Sequence, residues 1–284
     1  MIKNSTIKIY LFLSLLIFVL NVHSQVNEKI KPFELTIAVN EALGVTLSQQ
    51  DWAAEVGTDA IIRLGADLSN KKIKAFIVEI KEQSWLLSFI GKKKVSLGIY
   101  YQIEIDSNGP KDETYIKLPK PMKLSKQQKL IFKATELAKK QEFLRCTNSY
   151  NNVALSVFGE DGLQKFYIYM LAATNKAGVN IGGGHHRFLI DPKKNKVIED
   201  YAHTKDCLID TLSKETTALV FTHITSEVPN EFHVYMSYLY NLPIYIFTTN
   251  NKIIWKVFDG KIVPIDFPNK DNINASLQDR MKNI

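Results

Sequence analysis

The sequence predicts an α+β protein: a strand-rich N-terminal unit, then a mixed, mainly antiparallel sheet packed with two main helices. Three observations carry that expectation. Short runs of β-branched and aromatic residues recur between turn signals, two segments place apolar residues at helical spacing, and hydrophobic residues make up 45% of the chain, enough for a sizeable core. Residues 1–24 precede all of this as a separate element. Lys3 and Lys8 lead into the apolar run Ile9 to Leu20, which ends in Asn21-Val22-His23-Ser24. The run is about 12 residues, short of the roughly 20 that a membrane-crossing helix needs, so it reads as a signal peptide cut before Gln25. A periplasmic or secreted protein follows, touching the membrane only if the signal segment stays uncut.

From Gln25 to Pro121 the chain reads as the N-terminal, strand-rich domain. Residues 32–56 mix helical and extended patterns and give no assignment. Ile73 to Ile80, Trp85 to Phe89 and Val95 to Ile105 read as an antiparallel meander, with Asp106-Ser107-Asn108-Gly109-Pro110 as its clearest turn. Leu118-Pro119-Lys120-Pro121 reads as a stiff connector, because proline fixes φ and removes a hydrogen-bond donor. Residues 122–268 form the second, α+β domain, and 269–284 a polar tail. Ser125 and Gln128 have capping-box spacing at the start of a helix to Phe143. Val153 to Phe158, Lys165 to Ala173, Arg187 to Ile190, Lys196 to Tyr201 and Thr217 to Ile224 read as strands. A second helix is expected over 229–241, with Pro229 at its first position. Three further strands should be joined by the two-residue links Asn250-Asn251 and Asp259-Gly260. No internal repeat is legible.

Charge and cysteine usage narrow the roles. Removing Met1 to Ser24 takes two lysines and no acid from the 36 basic and 29 acidic residues, leaving a net charge of +5. The densest runs, Lys92-Lys93-Lys94 and Lys193-Lys194, read as solvated turn tips, so nucleic acid is not an expected partner. Cys146 and Cys207 are the two cysteines, and an even count in an exported chain favours a disulfide over two buried thiols.

Chemistry is hinted at by the histidines, since all five beyond the signal segment fall between His185 and His233. Gly182-Gly183-Gly184-His185-His186-Arg187 lacks the spacing of a phosphate-binding fingerprint and reads first as a loop that lets a sheet bend. His223 ends an apolar strand, ahead of an acidic, proline-bearing loop and His233. Three imidazoles and a water make a catalytic zinc sphere, so His185 or His186 with His223 and His233 are the metal-ligand candidates, and Glu227 or Glu231 the general-base candidates. Cys207, four residues after His203, is a weaker nucleophile candidate that a disulfide would consume.

The stretch Val220 to Val257 resembles the JAB/MPN metalloprotease pattern, in which a strand ending in His-x-His leads through a Pro-Ser loop to a helix bearing aspartate, then a strand and hairpin. Here Thr225 stands where the second histidine would be, and His233 where the aspartate would fall. The resemblance implies a strand-helix-strand arrangement with an inactive or repurposed site. The whole layout is also similar to uncharacterised exported bacterial proteins, a likeness that implies no reaction. The expected role is therefore binding of an envelope protein or glycan, with no cofactor; the alternative is a zinc-dependent hydrolase of an amide or peptide bond. The tyrosine-rich second half supports recognition, with Tyr238 or Tyr240 expected at the surface.

Overall fold

The computed structural model describes residues 30–69, 72–93, 96–159 and 161–265. The expected signal peptide, residues 1–24, and the expected polar tail, residues 269–284, lie outside the described residues. The protein is α+β as expected, with mostly antiparallel sheets. The described residues form two compact units.

The larger unit covers Leu43–Thr216 with Tyr238–Tyr240. It opens within helix α1 (Glu34–Arg63), which the sequence left unassigned. Its buried positions include Gly44, Leu47, Gln50, Ala53, Ala54, Gly57, Ala60 and Ile61, so apart from Leu47 and Ile61 the inward stripe is built from small and polar residues. Small size is what that contact requires. A Cβ on Gly57 would stand 2.8 Å from Leu87 Cδ2 and 2.9 Å from Ile105 Cδ1, inside van der Waals contact.

Strands β1 (Ile73–Ile80), β2 (Trp85–Lys93), β3 (Ser96–Asp106) and β4 (Gly109–Met122) follow as an antiparallel meander in sequence order. One face packs Val78, Leu87, Phe89, Ile103 and Ile105 against Ala53, Ala54, Ala60 and Ile61 of α1. The expected connector at Leu118–Pro121 is instead the end of β4. Two prolines are tolerated there because β4 is an edge strand, with no neighbouring strand on its outer side among the described residues that needs their missing N–H.

Helix α2 (Lys126–Lys139) begins at the expected capping box: Gln128 N donates to Ser125 Oγ at 3.1 Å, and Ser125 N donates to Gln128 Oε1 at 2.9 Å. It ends four residues before the expected Phe143. A second antiparallel sheet follows, made of β5 (Ser149–Phe158), β6 (Gln164–Ala173), β8 (His186–Asp191) and β9 (Lys196–Ala202), in that order. A short ribbon pairs β7 (Val179–Ile181) with β10 (Ile209–Thr211). Helix α2 lies between the two sheets. Ile131, Ala134 and Ala138 meet Ile77, Ile90 and Ile99 on one side and Phe166, Ile168, Met170, Phe188 and Ile190 on the other. The unit thus uses one plan twice, a helix followed by four antiparallel strands, although the sequence shows no repeat.

The smaller unit comprises 30–42, Thr217–Ser237 and 241–265. Strand β11 (Leu219–His223) is parallel to β12 (Ile244–Thr248), and helix α3 (Glu231–Tyr240) connects them. Strands β13 (Ile253–Phe258) and β14 (Lys261–Ile265) extend the sheet antiparallel. Pro229 sits two residues before Glu231, not at the helix's first position. The Asp259-Gly260 link is the expected type I′ turn, with φ of 48° and 73°. The other link differs. Thr248 pairs with Ile253, so four residues turn the chain, and Lys252 takes the left-handed conformation at φ 57°.

Candidate functional site

The five histidines among the described residues are all buried, and ring contacts tie each imidazole into local structure. His185 lies in the larger unit, 1% exposed. Its Nδ1 accepts the Ala172 N–H at 3.1 Å, so its proton sits on Nε2, which donates to the Ile181 carbonyl at 3.1 Å. Both nitrogens therefore bridge backbone groups of β6 and β7. Burial lowers its pKa to about 4, partly opposed by the Ile181 bond, so the ring is neutral at physiological pH. His203 packs beside it at 6.0 Å between ring centroids.

His186, the first residue of β8, points its Nε2 at Asp200 Oδ1 on the neighbouring strand β9. Its ring stacks on Phe188 at 4.5 Å between centroids. Burial depresses its pKa despite the carboxylate, because Asp200 is 55% exposed and its charge is shared with water.

The glycine-rich loop before these histidines has a structural cause. Cys146 and Cys207 are disulfide-bonded, with their Cα atoms 5.3 Å apart. A Cβ on Gly184 would stand 2.5 Å from Cys146 Sγ, and one on Gly183 would stand 2.6 Å from the Asp206 carbonyl. Gly182 N donates to the Leu208 carbonyl at 2.7 Å, and Gly184 N to Thr204 Oγ1 at 3.1 Å. Tyr150 binds the same knot, accepting from Cys146 N at 2.8 Å and donating to the Gly184 carbonyl at 3.2 Å. Three glycines let the loop lie directly on the disulfide and on the segment after His203.

In the smaller unit His223 and His233 stand together, ring centroids 4.8 Å apart and nearly perpendicular. Ser226 donates its hydroxyl to the Val228 carbonyl at 2.5 Å, so at 2.8 Å from His223 Nε2 it accepts, and Nε2 carries the proton. Thr225 Oγ1 lies 3.2 Å from the same nitrogen. Burial lowers the His223 pKa to about 4. His233 acts at a helix start. It occupies the third helical position, and its Nδ1 accepts the N–H of Asn230, the residue before α3, at 3.1 Å. That is the back-reaching half of a capping box, with imidazole in place of the usual Glu or Gln.

His185 and His186 belong to the larger unit, His223 and His233 to the smaller. Among the described residues no group of three or more His, Cys, Asp or Glu side chains is arranged to hold a metal ion. Of the general-base candidates, Glu227 is exposed, its carbonyl accepting from Asn251 Nδ2 at 2.6 Å, while Glu231 is buried at the first position of α3. Tyr238 is 40% exposed. The sequence reading missed His233 as a cap, although the Asn230-x-x-His233 spacing carries that signal. Comparison with protein-family models, curated proteins and solved structures found no match.

Proposed function

We propose that the protein is exported and acts by binding, with a partner in the cell envelope or outside the cell, rather than by hydrolysis. The observation that supports this reading most is the use made of the imidazole nitrogens. A zinc ligand offers an unprotonated nitrogen to an open position. In His185 that nitrogen takes the Ala172 N–H, and in His233 it takes the Asn230 N–H. His223 presents a protonated Nε2 to Ser226. Nδ1 of His185, Nδ1 of His233 and Nε2 of His223 could each bind a metal only by giving up a contact that holds a strand, a helix start or a loop. Export is favoured by the apolar leader, and a disulfide on Cys207, an exposed residue, is compatible with an oxidising compartment.

A zinc-dependent amide hydrolase is the second reading, favoured by the proximity of His223 and His233 and by the acidic residues around α3. Elemental analysis of untagged protein separates the two. Binding predicts less than about a tenth of an equivalent of zinc and no uptake on titration. One equivalent, lost in His223→Ala, would establish the hydrolase reading instead.

A further inference from the structure

The charge of this chain is not spread over it. Lys117 to Lys140 hold eight lysines against one acid, Glu136, a net charge of +7. The formal charge of the whole chain is also +7, so the remaining 28 basic and 28 acidic residues cancel. Helix α2 focuses the excess. At 3.6 residues per turn, Lys126, Lys129, Lys133 and Lys140 fall within an arc of about 60°, opposite the buried Ile131, Ala134, Thr135 and Ala138. All four are exposed. Among the described residues none of them takes part in an ion pair, whereas Glu136 is occupied by Lys139 at 3.5 Å.

We infer that this lysine ridge on α2 is a docking surface for an acidic polysaccharide. It names a partner for the binding role proposed above and rests on that reading for its extracytoplasmic setting, though on none of the histidines. From Lys126 to Lys140 the ridge runs about 21 Å, which sets its charges on the order of 7 Å apart. Duplex DNA carries a charge about every 1.7 Å, a much denser array, and readers of single strands add aromatic platforms. No aromatic residue lies on the lysine arc. A lipid surface fits no better, because a helix lying in a membrane interface buries its apolar face in the bilayer, and the apolar face of α2 is already buried between two sheets. Nor is this a phosphate site at a helix N-terminus, since Ser125 already takes the Gln128 N–H there. A flexible chain with about one carboxylate or sulfate per sugar or two matches a straight, sparse row of ammonium groups anchored on a rigid helix.

The test uses purified protein and heparin as the probe, with affinity followed from 50 to 300 mM NaCl. The variant K126Q/K129Q/K133Q/K140Q is compared with K81Q/K176Q/K196Q/K205Q, which removes the same charge at exposed positions elsewhere in the same unit. Far-UV circular dichroism checks that both are folded. The expected result is binding by the parent, at least a tenfold loss in the ridge variant, less than a twofold loss in the control, and a salt dependence flattened by about 3 in log-log slope. Equal losses in both variants, or no heparin binding at 50 mM salt, would overturn the inference. So would ridge-dependent binding of a DNA duplex, or of vesicles containing 30% phosphatidylserine, as tight as that of heparin. Zinc content is read separately, so failure here leaves the binding-versus-hydrolysis question where the metal analysis puts it.

Discussion

Lowering the pH from 7.5 to 5.0 should destabilise the larger unit through His185, and the size of the effect follows from its surroundings. Burial depresses the folded-state pKa to about 4, against about 6.5 for a free histidine, so the unfolded chain binds the proton more tightly. The stabilisation is complete above pH 6.5 and is lost as pH falls toward 4. At pH 5 the unfolded histidine is almost fully protonated and the folded one hardly at all, a loss of about 2 kcal/mol. His186, also depressed, adds to the loss with the same sign. Glu104 and Asp112 do not confuse this window: Lys111 and Arg63 hold their carboxyls below the usual range, so whatever they contribute is lost at lower pH. Urea denaturation at pH 7.5, 6.5, 5.5 and 5.0, followed by the fluorescence of Trp52 and Trp85, measures it. In His185→Phe the slope between pH 6.5 and 5 should shrink, although the variant is weaker throughout because the Ala172 N–H loses its acceptor. A stability flat to within about 0.5 kcal/mol across the window, or rising toward pH 5, would refute the assignment of His185 as a buried neutral bridge.

Other consequences concern packing and caps. Gly184→Ala should cost more than about 3 kcal/mol in a thermal or urea melt, because its Cβ would meet Cys146 Sγ at 2.5 Å and φ is +78°. Gly65→Ala, also at positive φ (+86°) but with open space around it, should cost only about 1 to 2 kcal/mol. The double variant Cys146→Ser/Cys207→Ser opens a bridge between residues 61 apart in sequence and should lower stability by about 4 kcal/mol in the chain-entropy description; a change under about 1 kcal/mol would show that the knot holds without it. Ser125→Ala should cost about 1 kcal/mol, read as a lower urea midpoint with unchanged slope.

What the sequence shows depends on how local its cause is. The capping box at Ser125 and the Asp259-Gly260 turn are decided within four residues, and both are found where expected. The disulfide was legible from two cysteines, while the reason for Gly182-Gly183-Gly184 was not, since its partner, Cys146, lies far away in sequence. Helix α1 is not legible because, apart from Leu47 and Ile61, its buried stripe consists of Gly, Ala, Gln and Asp, residues that become a core face only when a sheet approaches closely. Leu118–Pro121 was misread because proline reports a missing donor, and only the edge position of β4 makes that harmless. At the histidines, clustering in sequence points to chemistry, while hydrogen-bond partners account locally for the rings of His185, His186, His223 and His233.

Long-range nitrogen-proton NMR of the imidazoles, recorded before and after one equivalent of zinc, tests most directly whether these rings serve the scaffold. His185, His223 and His233 should each be the neutral form protonated at Nε2, with spectra unmoved by the metal. A ring found in the other tautomer, or one whose nitrogen resonance shifts in step with added zinc, would contradict it.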